Sequence, residues 1–336
     1  MLLHAVFARA TANFFGNTGP TGQRAMAAMA EKYGARVSDG LAPEVAAASV
    51  AQGSAVADHI LAWSQGDGGA VVENMGFPLA FTPDTRPGHW KPTSTIAQQQ
   101  APLLPGWGSN RPFAMPAADA CGLPPPPAYS EEKGSQFYAE AFETYEAVRN
   151  LTPEQTAIAR FWSDDPMLST TPPGHWMQIA LALLEDEDAP AARRAEVMAR
   201  LGITVADAFI ACWQAKYEYD LIRPVTYIKK VIDKNWEPLL ITPPFPEYPS
   251  GHSTQSGAAA TVLTAIWGPD FAFADGSHED DGLPERAFPS FWAAADEAGI
   301  SRLYGGIHFR AAIEQGLEQG RCVGAYAVAL KMGAQA

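Results

Sequence analysis

The amino-acid sequence predicts an all-α helical bundle. Alanine-rich segments repeat apolar residues at three- and four-residue spacing, the pattern of amphipathic helices. No run shows the strict alternation of a half-buried strand. Thr152, Pro153 and Gln155 form an N-cap, a first-turn proline and a capping-box partner, which fixes the start of one helix. Because 47% of the 336 residues are hydrophobic, the chain can bury a large core.

The same spacing predicts the individual helices. They are expected over about 20–34 and 42–65, from near 135, after Thr152, and over 173–187, 190–201, 203–222, 252–267, 288–299 and 307–332. Between Pro78 and Pro127 lie 12 of the 28 prolines, which predicts a long irregular segment. We divide the chain into N-terminal helices with a Pro-rich strap, 1–134, and a helical domain, 135–336, expected to form one continuous fold.

Charge and composition exclude several classes of protein. Asp and Glu outnumber Lys and Arg by 37 to 23, so the net charge of -14 argues against nucleic-acid and membrane-surface partners. We expect a soluble chain of unassigned location, since neither a membrane-spanning run nor a signal peptide is evident. Cys121, Cys212 and Cys322 match no paired spacing and cannot form a multi-bridge framework.

Three blocks in the second half carry candidate chemistry, and the first contains Lys216, Arg223 and Pro224. Seven residues are two helical turns, so we expect both cations on one face of a helix that Pro224 ends. Their long side chains would converge on one anion. The alternative is a solvated face on which Asp220 pairs with both cations.

The second block is Pro249-Ser250-Gly251-His252, directly before a predicted helix. A helix start presents unpaired N–H groups, Gly251 allows close approach, and the Ser250 hydroxyl adds a donor. This pattern predicts an anion cradle beside an imidazole. The alternative is an ordinary capped helix with His252 at the surface.

The third block runs from Ser301-Arg302 to His308. On one continuous helix Arg302 and His308 would point in different directions, but the pair Gly305-Gly306 is expected to break the helix. His308 would then begin the final helix and project into the bundle. Alternatively, it is a cap or a satisfied core histidine.

The three blocks read K-x6-R-P, P-S-G-H and S-R-x5-H. This pattern resembles the vanadium-dependent haloperoxidase and type 2 phosphatidic acid phosphatase (PAP2) superfamily, over about residues 150–330. The resemblance implies the helical bundle of the vanadium chloroperoxidase and acid phosphatase type. It also implies a vanadate cofactor, with phosphate able to occupy the same site.

The resemblance further implies roles for individual residues. His308 would be the axial vanadium ligand, His252 the acid and base, and Lys216 a catalytic cation. The implied oxyanion-binding residues are Lys216, Arg223, Ser250, Gly251 and Arg302. Trp213 and Phe245 resemble the aromatic pair on the halide side of chloroperoxidase-type members, with ordinary core packing as the alternative. Asp165 stands at the position of an acid that pairs with the arginine corresponding to Arg302.

Three functions are compatible with these residues. The first is a vanadate-dependent haloperoxidase that oxidises halide with hydrogen peroxide to hypohalous acid. The second is a soluble PAP2-type phosphatase that hydrolyses phosphomonoesters through a phosphohistidine at His308. The third is a non-catalytic phosphate- or vanadate-binding scaffold. Solubility and the aromatic pair favour the haloperoxidase, whereas the halide, an organic acceptor and a homo-oligomer stay open.

Two further groups are given ordinary interpretations. Four acidic residues surround His278, and we expect a solvated acidic loop rather than a calcium site because their spacing does not fit an EF-hand. These residues are Asp275, Glu279, Asp280 and Asp281. His89 and His175 lie in Pro/Gly-rich loops and are interpreted as surface histidines.

Overall fold

The fold is mainly helical in this computed structural model, which confirms the all-α prediction. The structure describes residues 1–69, 81–94, 101–164 and 169–332. The chain divides into two compact units, Met1–Ala70 and Val71–Ala336, and the division expected after residue 134 stays a prediction. No helix in the described ranges is both long and apolar enough to cross a membrane.

The first unit contains three helices: α1 (Leu2–Phe14), α2 (Pro20–Ser38) and α3 (Pro43–Ser64). The positions of α2 and α3 confirm the two helices predicted here, and α1 is an addition. Helix α1 packs on α3 at Gly53, where an added Cβ would stand 2.5 Å from the carbonyl oxygen of Leu2. Only glycine therefore permits this approach.

The second unit contains eight helices within the described residues. They are α4 (Gln136–Arg149), α5 (Pro153–Phe161), α6 (Pro172–Asp186), α7 (Ala191–Tyr219), α8 (Pro224–Val231), α9 (Gly251–Trp267), α10 (Phe291–Tyr304) and α11 (Arg310–Val328). The predicted capping box at Thr152 is present, with both of its reciprocal hydrogen bonds to Gln155.

Two local expectations were wrong. Helix α7 runs through Gly202 without a break, because an interior glycine costs only about 1 kcal/mol and the helix buries a long face. Strands β1 (Phe273–Asp275) and β2 (Arg286–Phe288) form an antiparallel pair in which Phe273 lies opposite Phe288. Three residues are too few to show alternation in a sequence.

Helices α9 and α11 pack closely in the middle of the second unit. A Cβ added at Gly320 would stand 2.3 Å from the carbonyl oxygen of Thr254. At Gly316 it would stand 2.9 Å from the carbonyl oxygen of Ser250. The glycines of α11 thus bring its backbone against the first turns of α9, which fixes the helix start that carries the second sequence block.

The described part of the Pro-rich segment is tied to α7 and α11. The Asp207 carboxylate of α7 accepts the N–H groups of Phe113, Ala114 and Met115. Cys121 and Cys322 form a disulfide that the sequence spacing did not indicate. These bonds explain how a segment with little regular structure is held against the helices.

Candidate active site

The three sequence blocks meet at one end of a cavity of about 380 Å³ in the second unit. Gly251, His252, Arg302 and His308 line this end. The other walls are largely apolar, and include Phe209, Trp213, Leu240, Pro243, Phe245 and Ile307. The cavity therefore joins a cationic, titratable end to an apolar chamber.

Lys216 and Arg223 do not share a helix face, which corrects the expectation from their spacing. Helix α7 ends at Tyr219, Asp220 adopts a left-handed φ of 45°, and Arg223 is the N-cap of α8. The alternative pairing with Asp220 is also wrong, because its carboxylate contacts His89 at 3.1 Å. The turn at Asp220, rather than helical periodicity, brings the two cations together.

The Lys216 ammonium is completely buried. Its Nζ donates to the backbone carbonyls of Pro246, Glu247 and Pro249. Burial lowers its pKa to about 7. All three N–H groups are thus directed at the segment before α9, so the predicted contact with an oxyanion requires the ammonium to exchange at least one carbonyl for the anion.

Arg223 is completely buried and contacts His308, which lines the cavity end. Its Nε donates to the carbonyl of Phe245, and Nη1 donates to the carbonyl of Ile307 and to His308 Nε2 at 3.2 Å. Its Nη2 is buried without a hydrogen-bond partner. Burial lowers the pKa of the guanidinium to about 10, so this group carries a buried charge and an unsatisfied donor.

Glu247 is a site residue that the sequence analysis missed. Its Oε1 lies 2.9 Å from His308 Nδ1 and accepts the N–H of Phe309 at 2.8 Å. Because arginine can only donate, His308 Nε2 accepts from Arg223 and the ring proton lies on Nδ1, facing Glu247. Glu247 therefore fixes the tautomer that leaves the Nε2 lone pair directed at the guanidinium.

The start of α9 has the predicted capped form. Ser250 is the N-cap, and its hydroxyl oxygen accepts the N–H of Ser253. A Cβ added at Gly251 would have no neighbour closer than 3.8 Å, on the Trp213 ring, so space is open beside this first helical residue. The Ser250 hydroxyl proton and the Gly251 N–H remain as donors of the kind that an anion uses.

The third block breaks as expected. Helix α10 ends at Tyr304, Gly306 adopts a φ of 75°, and α11 begins at Arg310. His308 precedes the final helix rather than beginning it. Arg302 is buried, and its guanidinium donates to the Ser301 hydroxyl and to the carbonyl of Trp162. The break directs both Arg302 and His308 to the cavity end.

The acid beside this site in the structure is Asp164. Its Oδ2 lies 3.4 Å from His252 Nε2, and both atoms are buried without a hydrogen-bond partner. Asp165, chosen from the sequence, lies outside the described residues. Burial, followed by the charge of Arg302, lowers the pKa of His252 to about 4. His252 is therefore neutral at pH 7 and able to accept a proton.

The aromatic residues predicted for the halide side lie together. The ring centroids of Trp213 and Phe245 are 4.9 Å apart, and Phe209 stacks on Trp213 at 3.8 Å. The Lys216 Nζ and the Arg223 guanidinium carbon lie 5.1 Å and 5.0 Å from the Phe245 centroid. Phe245 thus covers both cations, and Phe209 extends the pair that the sequence indicated.

Two ordinary interpretations are corrected. His175 is not a surface residue, because it lies within α6 and is completely buried. Asp275 and His278 do not belong to a solvated loop, since both are buried and contact His175 or Asp164. His89 is partly exposed, as expected. The Pro-Pro-Gly sequence before His175 was interpreted as a loop, but it is the first turn of a helix, where proline is favoured.

Comparison with known proteins identifies the family. A family described as the VCPO second helical-bundle domain matches residues 196–334. The crystal structure of the first bacterial vanadium-dependent iodoperoxidase superimposes with a TM-score of 0.83 and 42% identity, over 91% of this chain and 74% of that one. The chain belongs to the vanadium-dependent haloperoxidases. It is thus an enzyme of the vanadium haloperoxidase type.

The chain is also similar to two more distant proteins, both vanadium-dependent chloroperoxidases. The vanadium chloroperoxidase of Curvularia inaequalis is 26% identical over 220 residues, which are 47% of this chain and 36% of that protein's length. A holo-type bacterial vanadium-dependent chloroperoxidase superimposes with a TM-score of 0.71 at 16% identity. The match covers 97% of this chain and 81% of the chloroperoxidase chain. The second likeness shows the shared haloperoxidase fold.

Proposed function

We propose that this chain binds vanadate and oxidises halide with hydrogen peroxide to hypohalous acid. The observation that carries the proposal is the buried, unpartnered Nη2 of Arg223 beside His308, an imidazole that lines the cavity end and whose Nε2 accepts from the same guanidinium. A buried charged donor without a partner is costly, and an oxyanion at this point would satisfy it. His308 Nε2 would become a ligand by exchanging its hydrogen bond from Arg223 Nη1 for vanadium.

The residues present fit vanadate. Arg223, Arg302 and Lys216 supply positive charge, and Ser250 with the Gly251 N–H supplies neutral donors. Tetrahedral oxyanions are bound by such sets of charge-assisted hydrogen bonds at a helix start. When bound, vanadate would supply a Lewis acid that activates peroxide oxygen for attack by halide.

The protein's own groups would perform the proton transfers and exclude water. Overall, halide gives two electrons to peroxide, one proton is consumed, and hypohalous acid and water are formed. His252, neutral at pH 7, would take a proton from hydrogen peroxide as it binds and return it to the leaving oxygen. The buried cations would stabilise negative charge in a site of low dielectric.

Phe245 and Trp213 would form the halide side. Both line the apolar part of the cavity, and Phe245 lies against the two cations. A weakly hydrated halide gives up little hydration free energy when it moves from water to a position against such an apolar wall. Iodide is the first halide to assay, because the 42% identical relative is a vanadium-dependent iodoperoxidase and iodide is more easily oxidised than bromide or chloride.

Reconstitution provides the test. Protein freed of vanadate by chelation is expected to oxidise iodide with peroxide only after orthovanadate is added. The phosphatase alternative is measured on the same apo-protein with p-nitrophenyl phosphate. Vanadate-independent phosphate release without any vanadate-dependent iodide or bromide oxidation would reject the haloperoxidase proposal in favour of the phosphatase.

Glu247→Gln is expected to weaken vanadate binding by roughly 10–100-fold, the usual effect of losing a hydrogen-bonded partner of a metal ligand. Burial raises the pKa of Glu247 to about 8, so only part of the wild-type population near pH 7 carries the carboxylate charge that makes Nε2 more basic. The amide keeps the shape and an acceptor for His308 Nδ1, but it can never carry that charge. Equilibrium dialysis of vanadate measures the effect separately from turnover.

Glu140→Gln is the matched control for that variant. Glu140 is also partly buried, and it accepts the N–H of Ala311, close to His308 in the chain, without contacting the imidazole. The control is expected to bind vanadate as the wild type does. Equal vanadate affinity in Glu247→Gln and the wild type would contradict the role given to Glu247.

A further inference from the structure

Five side chains form a second titratable group next to the cavity. We name it the His175 cluster, and it comprises Asp164, His175, Asp275, His278 and Asp281. His175 Nδ1 lies 3.0 Å from Asp164 Oδ1, and His278 Nε2 lies 3.2 Å from the same oxygen. Asp164, His175, Asp275 and His278 are all at most 3% exposed. Two imidazoles thus converge on one carboxylate oxygen in the interior.

The far nitrogen of each imidazole is also held by a carboxylate. His175 Nε2 lies 2.8 Å from Asp275 Oδ2, and His278 Nδ1 lies 2.9 Å from Asp281 Oδ2. Asp275 is itself held by the N–H and hydroxyl of Ser277. Histidines that bind metals usually donate their other N–H to a carboxylate or carbonyl in this manner.

The spacing of the three inner atoms suits a metal ion. The atoms His175 Nδ1, His278 Nε2 and Asp164 Oδ1 all lie within 4.8 Å of one another. Ligands bonded to one ion at about 2.0–2.1 Å stand about 3 Å apart, as both nitrogens do from the carboxylate oxygen. The two nitrogens lie within 4.8 Å of each other and would have to stand no more than about 4.1 Å apart, twice the bond length, to bind one ion.

Charge balance points the same way. With hydrogen bonds alone, each ring needs a proton on both nitrogens, so two imidazolium rings would stand with centroids 4.8 Å apart. One divalent cation between the inner atoms would replace the two inner protons at equal charge. The carboxylates of Asp164, Asp275 and Asp281 lie within 3.0 Å of ring nitrogens of these two histidines, so the site favours a cation.

The two oxygens of Asp164 have different surroundings. Oδ1 faces both imidazoles of the cluster, whereas Oδ2 is buried, accepts no hydrogen bond and lies 3.4 Å from His252 Nε2. A buried carboxylate is costly unless positive charge lies nearby. A metal held at Oδ1 would supply that charge and leave Oδ2 free to pair with His252.

We propose that His175, His278 and Asp164 bind a first-row divalent transition-metal ion, separate from the vanadate site. Two imidazoles and one carboxylate favour zinc or a similar ion over calcium or magnesium, which prefer oxygen ligands. Asp275 and Asp281 orient the two imidazoles. Stacking of His175 on Trp162, with ring centroids 4.6 Å apart, further restricts the first imidazole.

A cation at this position would also affect the proposed haloperoxidase reaction. Asp164 Oδ2 lies 3.4 Å from His252 Nε2, so one carboxylate would connect the cation to the proposed acid and base. Fixing Asp164 by a metal bond would hold the partner of His252 in place. This consequence rests on the proposed function, whereas metal binding itself does not.

Zinc binding by tag-free protein tests the proposal. Protein is dialysed against EDTA and then equilibrated with zinc in buffer without vanadate, phosphate or peroxide. One tightly bound zinc per chain is expected. Asp275→Asn should weaken zinc binding by roughly 10–100-fold while keeping the side-chain shape, and His278→Gln should abolish stoichiometric binding.

Two controls make the result decisive. His59→Ala removes an exposed histidine of α3 and should retain one zinc. Cobalt substitution should give visible bands without a thiolate charge-transfer band, because the buried free Cys212 is not a ligand. Circular dichroism of each variant, together with direct titration of the wild type, separates loss of a ligand from loss of fold.

The proposal is overturned if wild-type protein binds no stoichiometric zinc, manganese or cobalt, or if Asp275→Asn and His278→Gln bind zinc as the wild type does. The cluster would then be a hydrogen-bonded network only. Metal content and halide oxidation are measured separately. A chain that holds zinc but oxidises no halide refutes the proposed function alone, and the opposite result refutes the metal site alone.

Discussion

His308→Ala is expected to lose stoichiometric vanadate binding and to lower vanadate-dependent iodide oxidation by more than about 10³-fold, as for removal of a central catalytic group. His308 is the imidazole that lines the cavity end, with Nε2 on Arg223 and Nδ1 on Glu247. Alanine leaves no atom that can bond to vanadium or attack phosphorus. The variant should therefore lose both the haloperoxidase and the alternative phosphatase activity.

Two measurements check this result. Equilibrium dialysis of vanadate reports binding, and the iodide assay reports turnover at saturating peroxide. His59→Ala, an exposed histidine on α3, is the control and should match the wild type in both. Wild-type turnover in His308→Ala would reject the proposed ligand, since no other imidazole among the described residues contacts Arg223.

The sequence predicted the residues at the cavity end better than the geometry that joins them. Arg302 and His308 converge for the expected reason, since glycine at 306 can adopt a φ of 75° that ends α10. Lys216 and Arg223 converge for another reason, a left-handed turn at Asp220. Aspartate adopts this conformation more readily than most residues, but its presence in a sequence does not identify the turn.

Glu247 and Asp164 show why partner residues are harder to predict. Glu247 lies just before the second block, five residues before His252, yet its side chain contacts a histidine 61 positions later. The resemblance assigns the acid to Asp165, whereas the structure places its neighbour Asp164 beside His252. A sequence gives no direction for either side chain, because the non-helical backbone around them follows no fixed period.

The fold was predicted where helical periodicity extends over several turns. Helices α2, α3 and α9 lie close to their predicted bounds, because small and apolar residues repeat over their whole length. His175 was misplaced for the opposite reason. Two prolines and a glycine precede it, and these residues occur both in loops and at the first turn of a helix. Only burial against Trp162 distinguishes the two cases.

The two histidines at the cavity end have opposite surroundings, which gives them different tasks. His308 contacts a carboxylate on one nitrogen and a guanidinium on the other, so its orientation is fixed. His252 lines the cavity with its side chain 16% exposed and has no hydrogen bond at Nε2. A fixed imidazole suits a ligand or nucleophile, whereas a less restrained one beside open space suits proton transfer.

His252→Ala is accordingly expected to lower kcat by about 10²–10⁴-fold, the usual contribution of a general acid–base group, while vanadate binding changes much less. The imidazole is neutral at pH 7 because burial and Arg302 lower its pKa to about 4, so the wild type can accept a proton from peroxide at that pH. Single-turnover and steady-state iodide assays measure the loss, and vanadate dialysis measures binding.

Exogenous imidazole should restore part of the rate through the opened cavity. Loss of vanadate binding equal to that in His308→Ala would instead make His252 a ligand-site residue, and an unchanged kcat would remove it from proton transfer.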